Sequence, residues 1–139
     1  MNASRNVSDE PVPARPPTVL VVEDEILVRT VIAAYLRDCG FDVIEAGNAD
    51  EAIRVMGAGI RIDIVFSDVN MPGSMDGFGL AQWLRQERPG LKIILTSGAA
   101  QTAKDASDPC EHGPILAKPY DYTELVRQLR ALLAKNTSP

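Results

Sequence analysis

The hydrophobic positions of the chain follow two patterns that alternate along its length. Short apolar runs of strand length, such as residues 19–22, are followed by longer segments in which apolar residues recur every three or four positions, as on one face of a helix. This alternation is typical of a parallel sheet built from βα units. We expect strands at residues 18–23, 41–46, 62–67, 91–96 and 115–117, and helices at about 26–39, 48–56, 77–87 and from 121 onwards.

Local signals support these helix boundaries. Gly40 follows the first helical segment, where a residue that readily adopts a left-handed conformation commonly ends a helix. Asn48 followed by Glu51, and Asp121 followed by Glu124, have the spacing of a capping box at a helix N-terminus. The pattern as a whole predicts an α/β domain of the (βα)5 type.

The composition sets the limits of this domain. Residues 1–17 carry several prolines among polar residues and predict a flexible tail, which leaves a domain at 18–135 and a C-terminal tail at 136–139. Residues 98–114 are polar and contain glycine and proline, so they predict at most a short helix. With 139 residues the chain can form one complete core, and we expect no separate output domain.

The charge balance argues against several classes of partner. The chain has 14 Lys and Arg against 19 Asp and Glu, a formal net charge of -5, which disfavours binding to nucleic acid or to anionic membranes. His112 has no ligand-type neighbours at metal spacing, so we expect no structural zinc. We expect Cys39 and Cys110 to be reduced thiols, with a disulfide between them as the alternative. The sequence has neither a signal peptide nor an apolar run of about 18 residues, which predicts a cytoplasmic protein.

Polar residues follow the predicted strands at the point where each strand ends. Glu23 and Asp24 end the first strand, Asp68 follows the third, Ser97 the fourth and Lys118 the fifth. Because the carboxyl ends of parallel strands share one edge of the sheet, these side chains should converge there. Clustered carboxylates repel one another unless a cation neutralises them, and hard oxygen ligands suit Mg²⁺. The sequence therefore predicts a Mg²⁺ site that handles phosphoryl groups, with Asp68 as the best-placed nucleophile.

A resemblance to a known family rests on four motifs. The chain carries, in this order, VVEDE, FSDVNMP, ILTSG and LAKPY, and at these separations they resemble the motifs of the receiver domain of two-component response regulators. The likeness covers roughly residues 18–135. It implies a flavodoxin-like doubly wound parallel sheet with strand order 2-1-3-4-5. It also implies partners, namely a sensor histidine kinase or a histidine phosphotransfer protein.

The resemblance further implies a role for individual residues. Asp24 would hold Mg²⁺ directly and Glu23 through water, while the main-chain carbonyl of Asn70 would complete the metal shell. Asp68 matches the aspartate that accepts the phosphoryl group. The remaining matches are Ser97, at the Ser/Thr position that moves to bond the phosphoryl group, and Lys118, at the lysine position.

The sequence near these motifs has four further features. The loop at residues 71–77 is one residue longer than the commonest version in the family. Ile115 stands where many receivers carry a switching Tyr or Phe. We therefore do not expect the usual motion of receivers, in which the Ser/Thr hydroxyl and this aromatic ring move together. Pro119 matches a proline whose peptide bond is usually cis in the family. Tyr120, directly after it, is expected to pack structurally and not to act as the switch.

The sequence thus predicts a single-domain receiver that is phosphorylated on Asp68 and signals through protein contacts, as a conformational switch or a relay intermediate, without turnover of a separate substrate. A first alternative is a haloacid-dehalogenase-like phosphatase, which needs a second aspartate where this chain has Asn70. A second alternative is a pseudo-receiver that keeps the fold without accepting phosphate. The sequence leaves open the cognate kinase, the downstream protein and whether the chain forms a homodimer.

Overall fold

A computed structural model of the protein describes residues 15–98 and 113–136. Its elements, in chain order, are β1 (Thr18–Val22), α1 (Ile26–Asp38), β2 (Asp42–Ala46), α2 (Ala49–Gly57), β3 (Ile64–Asp68), α3 (Gly77–Glu87), β4 (Lys92–Ser97), β5 (Ile115–Ala117) and the C-terminal helix (Tyr122–Asn136). The strands pair in parallel and form one sheet in the order β2-β1-β3-β4-β5. The predicted flavodoxin-like α/β fold is therefore confirmed.

Strand β1 shows how the sheet is covered on both faces. Successive side chains of a strand point to opposite sides, and here every residue of β1 is buried. Leu20 and Val22 pack into the core under α2 and α3, whereas Val19 and Val21 pack into the core under α1 and the C-terminal helix. A strand buried on both faces needs an uninterrupted apolar run, which explains residues 19–22. The helices add Ala52, Met56, Leu80 and Leu84 to the α2/α3 core, and Ile32, Leu36, Leu125 and Leu129 to the α1/C-terminal core.

Two helix boundaries follow the predicted signals. Gly40 has φ +98 and ends α1 in a left-handed conformation. The Asn48 side chain caps α2 by accepting from the Glu51 backbone N–H at 2.8 Å. The Glu51 carboxylate accepts from the backbone N–H of Gly47, one residue earlier than in the capping box that the sequence predicts.

The residues just before β1 contact the domain. Arg15 Nη1 donates to Thr18 Oγ1 at 2.9 Å, and the carbonyl oxygen of Pro17 accepts from the Asp42 N–H at 2.9 Å. The rest of the predicted tail, most of segment 98–114 with Cys110 and His112, and residues 137–139 lie outside the described residues, so the domain limits stay a prediction. Within the described ranges, no helix is both long and apolar enough to cross a membrane.

Candidate functional site

The carboxyl ends of four strands bring the predicted site residues to one edge of the sheet. Asp68, the last residue of β3, is in register with Thr96 of β4, and Ser97 is in register with Ala117 of β5. The N–H of Glu23 donates to the carbonyl oxygen of Ala46 at 3.0 Å, which continues the pairing of β1 with β2 by one residue. The two acids after β1 therefore emerge beside the end of β3.

Three carboxylates form an acidic cluster at this edge. One carboxylate oxygen from each of Glu23, Asp24 and Asp68 lies within 4.8 Å of the other two. Glu23 and Asp68 are buried, with exposed fractions of 5% and 6%, whereas Asp24 is exposed. The cluster thus combines two shielded acids with one that is open to solvent.

The Glu23 carboxyl ionises unfavourably in this setting. Its pKa is raised from 4.5 to about 7, mainly by burial. Two groups lower this pKa, namely the backbone N–H of Glu25, which donates to Glu23 Oε2 at 3.1 Å, and the charge of Lys118. The charges of Asp68 and Asp24 raise it. A cation bound among the three acids would favour the ionised form.

Lys118 supplies the positive charge that the sequence predicts. Its Nζ donates to Asp68 Oδ1 at 3.2 Å, and the lysine side chain is 41% exposed while that of Asp68 is 7% exposed. The backbone N–H of Lys118 donates to the carbonyl oxygen of Ser97 at 2.8 Å, which fixes the start of the side chain at the sheet edge. The peptide bond between Lys118 and Pro119 is cis, as the resemblance implied.

The two remaining predicted residues lie next to this pair. Asn70, in the loop after β3, donates its backbone N–H to Asp68 Oδ1 at 3.3 Å. Ser97 is buried at the end of β4, and its hydroxyl donates to the carbonyl oxygen of Gly98 at 3.3 Å. The metal-ligand role of the Asn70 carbonyl and the phosphoryl contact of Ser97 stay predictions.

The donor set of the acidic cluster fits Mg²⁺. This ion takes oxygen ligands at about 2.0–2.1 Å in octahedral geometry, so two ligands of one ion lie at most about 4.2 Å apart. The three carboxylate oxygens lie within 4.8 Å of one another, so they would move toward a shared ion on binding, or Glu23 would bind it through water. The exposure of Asp24 leaves an open side for the waters that Mg²⁺ usually keeps.

Two further residues shape the site through contacts that the sequence does not predict. Arg29 of α1 donates from Nη1 to the Glu23 carbonyl oxygen at 2.9 Å. Gly77, the first residue of α3, lies so close to β3 that a Cβ there would be 2.4 Å from the Asp68 carbonyl oxygen. No sequence signal distinguishes Arg29 from the other arginines, whereas the Asp76-Gly77 pair resembles the loop after the acceptor aspartate in receivers, without indicating how closely Gly77 approaches β3.

The two residues near the expected switch are placed as the sequence suggests. Tyr120 packs edge-on to Phe66, with ring centroids 6.0 Å apart, and burial raises its pKa. Its packing role in the α1/C-terminal core is therefore confirmed. Ile115 is half-buried and packs against the α2/α3 core.

Comparisons with known sequences and structures bear on the identity of the chain. Residues 19–130 match the family model described as the response regulator receiver domain. The chain is 38% identical over 120 residues to the sensor kinase CckA of Brucella abortus, which covers 85% of this chain and 13% of that protein. It is 35% identical over 127 residues to the probable transcriptional regulatory protein TcrX of Mycobacterium tuberculosis, which covers 87% of this chain and 51% of that protein. The chain thus spans only part of the length of these curated relatives.

A solved structure agrees with the sequence matches. The response regulator TrrA of Thermotoga maritima, in complex with Mg²⁺ and BeF, superposes with a TM-score of 0.74 at 26% identity, over 84% of this chain and 98% of that one. An acidic triad such as Glu23, Asp24 and Asp68 is typical of the Mg²⁺ site of receiver domains. Since the family match extends over most of the chain and the strand order and strand-end residues agree with it, the chain belongs to the response regulator receiver domain family of two-component signalling.

Proposed function

We propose that this receiver domain accepts a phosphoryl group on Asp68 from a phosphohistidine of a sensor histidine kinase or histidine phosphotransfer protein, in a Mg²⁺-dependent reaction. Receiver domains pair with histidine kinases and are phospho-accepting signalling modules, not turnover enzymes. The observation that carries the proposal is the position of the buried Asp68 carboxylate, 3.2 Å from Lys118 Nζ and inside the acidic cluster.

In this proposal Asp68 is the nucleophile. A carboxylate oxygen of Asp68 forms a bond to phosphorus while the bond from phosphorus to the imidazole nitrogen breaks, and the electron pair of that bond stays on the nitrogen, which takes up a proton from solvent water. Lys118 is partly exposed and donates to the phosphoryl oxygens over which the charge is spread. Glu23, Asp24, Asp68 and the Asn70 carbonyl would hold Mg²⁺, which when bound supplies further positive charge to these oxygens.

The charge added at Asp68 is the signal that the domain would transmit. Ser97 would turn its hydroxyl from Gly98 toward the phosphoryl group. This movement would bias the surface that includes β5 and the C-terminal helix between two states. Because Ile115 stands in β5 without an aromatic ring, the change would pass through its packing against the α2/α3 core. The output is then a protein contact or a relay of the phosphoryl group.

The test is phosphorylation by a small phosphodonor. Wild-type protein incubated with acetyl phosphate and Mg²⁺ should gain one phosphoryl group by intact mass, and Asp68→Asn should gain none. Asp42→Asn, which removes an exposed carboxylate at the opposite end of the sheet, is the matched control and should react like wild type. Equal modification of wild type and Asp68→Asn would refute the proposal.

The same experiment separates the alternatives. If neither protein is modified while both are folded, the pseudo-receiver interpretation is favoured. Rapid multiple turnover of small phosphate esters would favour the phosphatase interpretation, which the family match leaves without support.

A further inference from the structure

Arg29 connects α1 to the backbone of the acidic cluster. Its Nη1 donates to the Glu23 carbonyl oxygen at 2.9 Å, its Nε donates to the Glu45 carboxylate of β2 at 3.1 Å, and its side chain is 18% exposed. We propose that Arg29 is a positioning residue for the metal site, which fixes the peptide between Glu23 and Asp24 and thereby sets the affinity of the cluster for a divalent cation. This inference rests on the proposed function, because it concerns the same site.

The peptide that Arg29 contacts carries two of the three acids. The carbonyl group of Glu23 lies in the same peptide plane as the N–H of Asp24, so a rotation of this plane that is not compensated at its two ends changes the orientation of the two side chains relative to each other. On the other side of Glu23, the N–H is held by the carbonyl oxygen of Ala46 at 3.0 Å. Arg29 therefore completes the restraint of a residue that is 5% exposed. A buried carbonyl oxygen that loses its donor is destabilised, which drives the peptide to turn toward another partner.

Arg29 is itself held in place. Glu45 binds the Nε, and the Glu45 carboxylate also lies 3.5 Å from Arg37 Nη2. The guanidinium packs against Gly47, where a Cβ would lie 3.4 Å from Arg29 Nη1. Because β2, α1 and the end of β1 all contribute to this arrangement, the Glu23 peptide is held in place by helix and strand residues and not only by its own loop.

The charge of Arg29 and its contacts predict opposite effects when it is removed. A guanidinium beside a cation site repels the cation, so its loss on electrostatic grounds alone should strengthen Mg²⁺ binding. Loss of the contact to the Glu23 carbonyl should weaken binding, since partners that orient metal ligands typically contribute about 10–100-fold in affinity. The sign of the change in affinity therefore distinguishes positioning from simple charge.

The chain offers a matched control in Arg37. It lies on the same helix, contacts the same Glu45 carboxylate, and also donates to a backbone carbonyl oxygen, that of Val43 at 3.0 Å. Its contacts are with β2 and not with the acidic cluster. Replacing Arg29 or Arg37 by Met removes the same charge from the same helix, and only Arg29→Met should disturb the metal site.

The experiment measures Mg²⁺ binding to the full chain by isothermal titration calorimetry, with urea unfolding in EDTA to compare stability. We expect Arg29→Met to weaken Mg²⁺ binding about tenfold and Arg37→Met to leave it within about twofold of wild type. Arg29→Lys keeps the charge but lacks the planar fork that reaches both acceptors, so it should bind Mg²⁺ with intermediate affinity.

Each outcome bears on the inference. Mg²⁺ binding by Arg29→Met that equals or exceeds that of wild type overturns it, as does equal weakening by Arg37→Met. If Arg29→Met does not fold by circular dichroism, wild-type affinity in Arg29→Lys overturns it instead. A wild-type protein that binds Mg²⁺ and is phosphorylated on Asp68 keeps the proposed function even if Arg29 fails, whereas a wild-type protein that binds no Mg²⁺ refutes both.

Discussion

The close approach of α3 to β3 at Gly77 gives a quantitative prediction for Gly77→Ala. The added Cβ would lie 2.4 Å from the Asp68 carbonyl oxygen and 2.7 Å from the Val69 Cα. Because carbon–oxygen contacts normally begin at about 3.3 Å, the backbones must separate by about 0.9 Å. Both neighbours are backbone atoms, and the Gly77 N–H donates to the Val69 carbonyl oxygen at 2.8 Å, so no side-chain rotation can relieve the overlap.

This overlap should lower both stability and metal affinity. We expect the free energy of unfolding to fall by about 2–3 kcal/mol, the upper half of the range for overpacking. With an unfolding entropy of about 2.1 cal/mol/K per residue over 139 residues, this corresponds to a Tm lower by about 7–10 °C. Since the displaced carbonyl belongs to Asp68, Mg²⁺ binding should weaken as well. Urea unfolding followed by circular dichroism and calorimetric Mg²⁺ titration measure the two effects.

A second glycine serves as the control. Gly57 is exposed in the last turn of α2, and a Cβ there would have no atom within 4 Å. Gly57→Ala should therefore stabilise the protein by about 0.4–1 kcal/mol through the lower entropy of the unfolded chain. If Gly77→Ala were as stable as wild type and bound Mg²⁺ equally well, the argument from close approach would be refuted.

The site and the cores give four further predictions. Because the pKa of Glu23 is raised to about 7, Mg²⁺ affinity should increase as the pH rises toward that value and level off above it, and a flat calorimetric pH profile would contradict this. The same shift means that the folded Mg²⁺-free protein holds this proton more tightly than the unfolded chain, so its free energy of unfolding, measured in urea, should fall as the pH rises from 4.5 to about 7. Asp24→Asn should weaken Mg²⁺ binding and, near pH 8, stabilise the Mg²⁺-free protein, because it removes a like charge beside Glu23; a loss of stability in EDTA would contradict the repulsion. Leu129→Ala should lower the free energy of unfolding by about 2–5 kcal/mol in urea, because Leu129 is fully buried, and a loss below 1 kcal/mol would show that the core closes around the gap.

The elements of the fold could be predicted because their signals are local. The apolar run before Glu23, the cap at Asn48 and Gly40 after α1 each act within a few residues of the chain. Boundaries were less accurate where tertiary contacts decide them. The third strand is expected from residue 62, whereas β3 begins at Ile64. Just before it, Asp63 contacts β1 through its side chain, which accepts from the Thr18 N–H at 2.8 Å.

The order of the strands and the support of the site were beyond local reasoning. All five strands are short apolar runs, so their order came from the resemblance to receivers and not from periodicity. The convergence of Asp68 and Lys118 followed from the rule that parallel strands end at one edge. The contact from Arg29 to Glu23 did not, because the choice of one arginine among many depends on how α1 lies over the sheet.

The division of β1 between two cores also determines where the acidic cluster lies along the sheet. A slip of β1 by one residue would send Leu20 and Val22 to the side occupied by Val19 and Val21, and the two sets of helices would both lose their fit. Such a slip would also move Glu23 away from Ala46 of β2, whose carbonyl oxygen accepts from the Glu23 N–H. The misfit on both sides thus keeps the change from apolar to acidic residues at the sheet edge, so the position of the site along the sheet is set by core side chains that are not themselves candidate metal ligands.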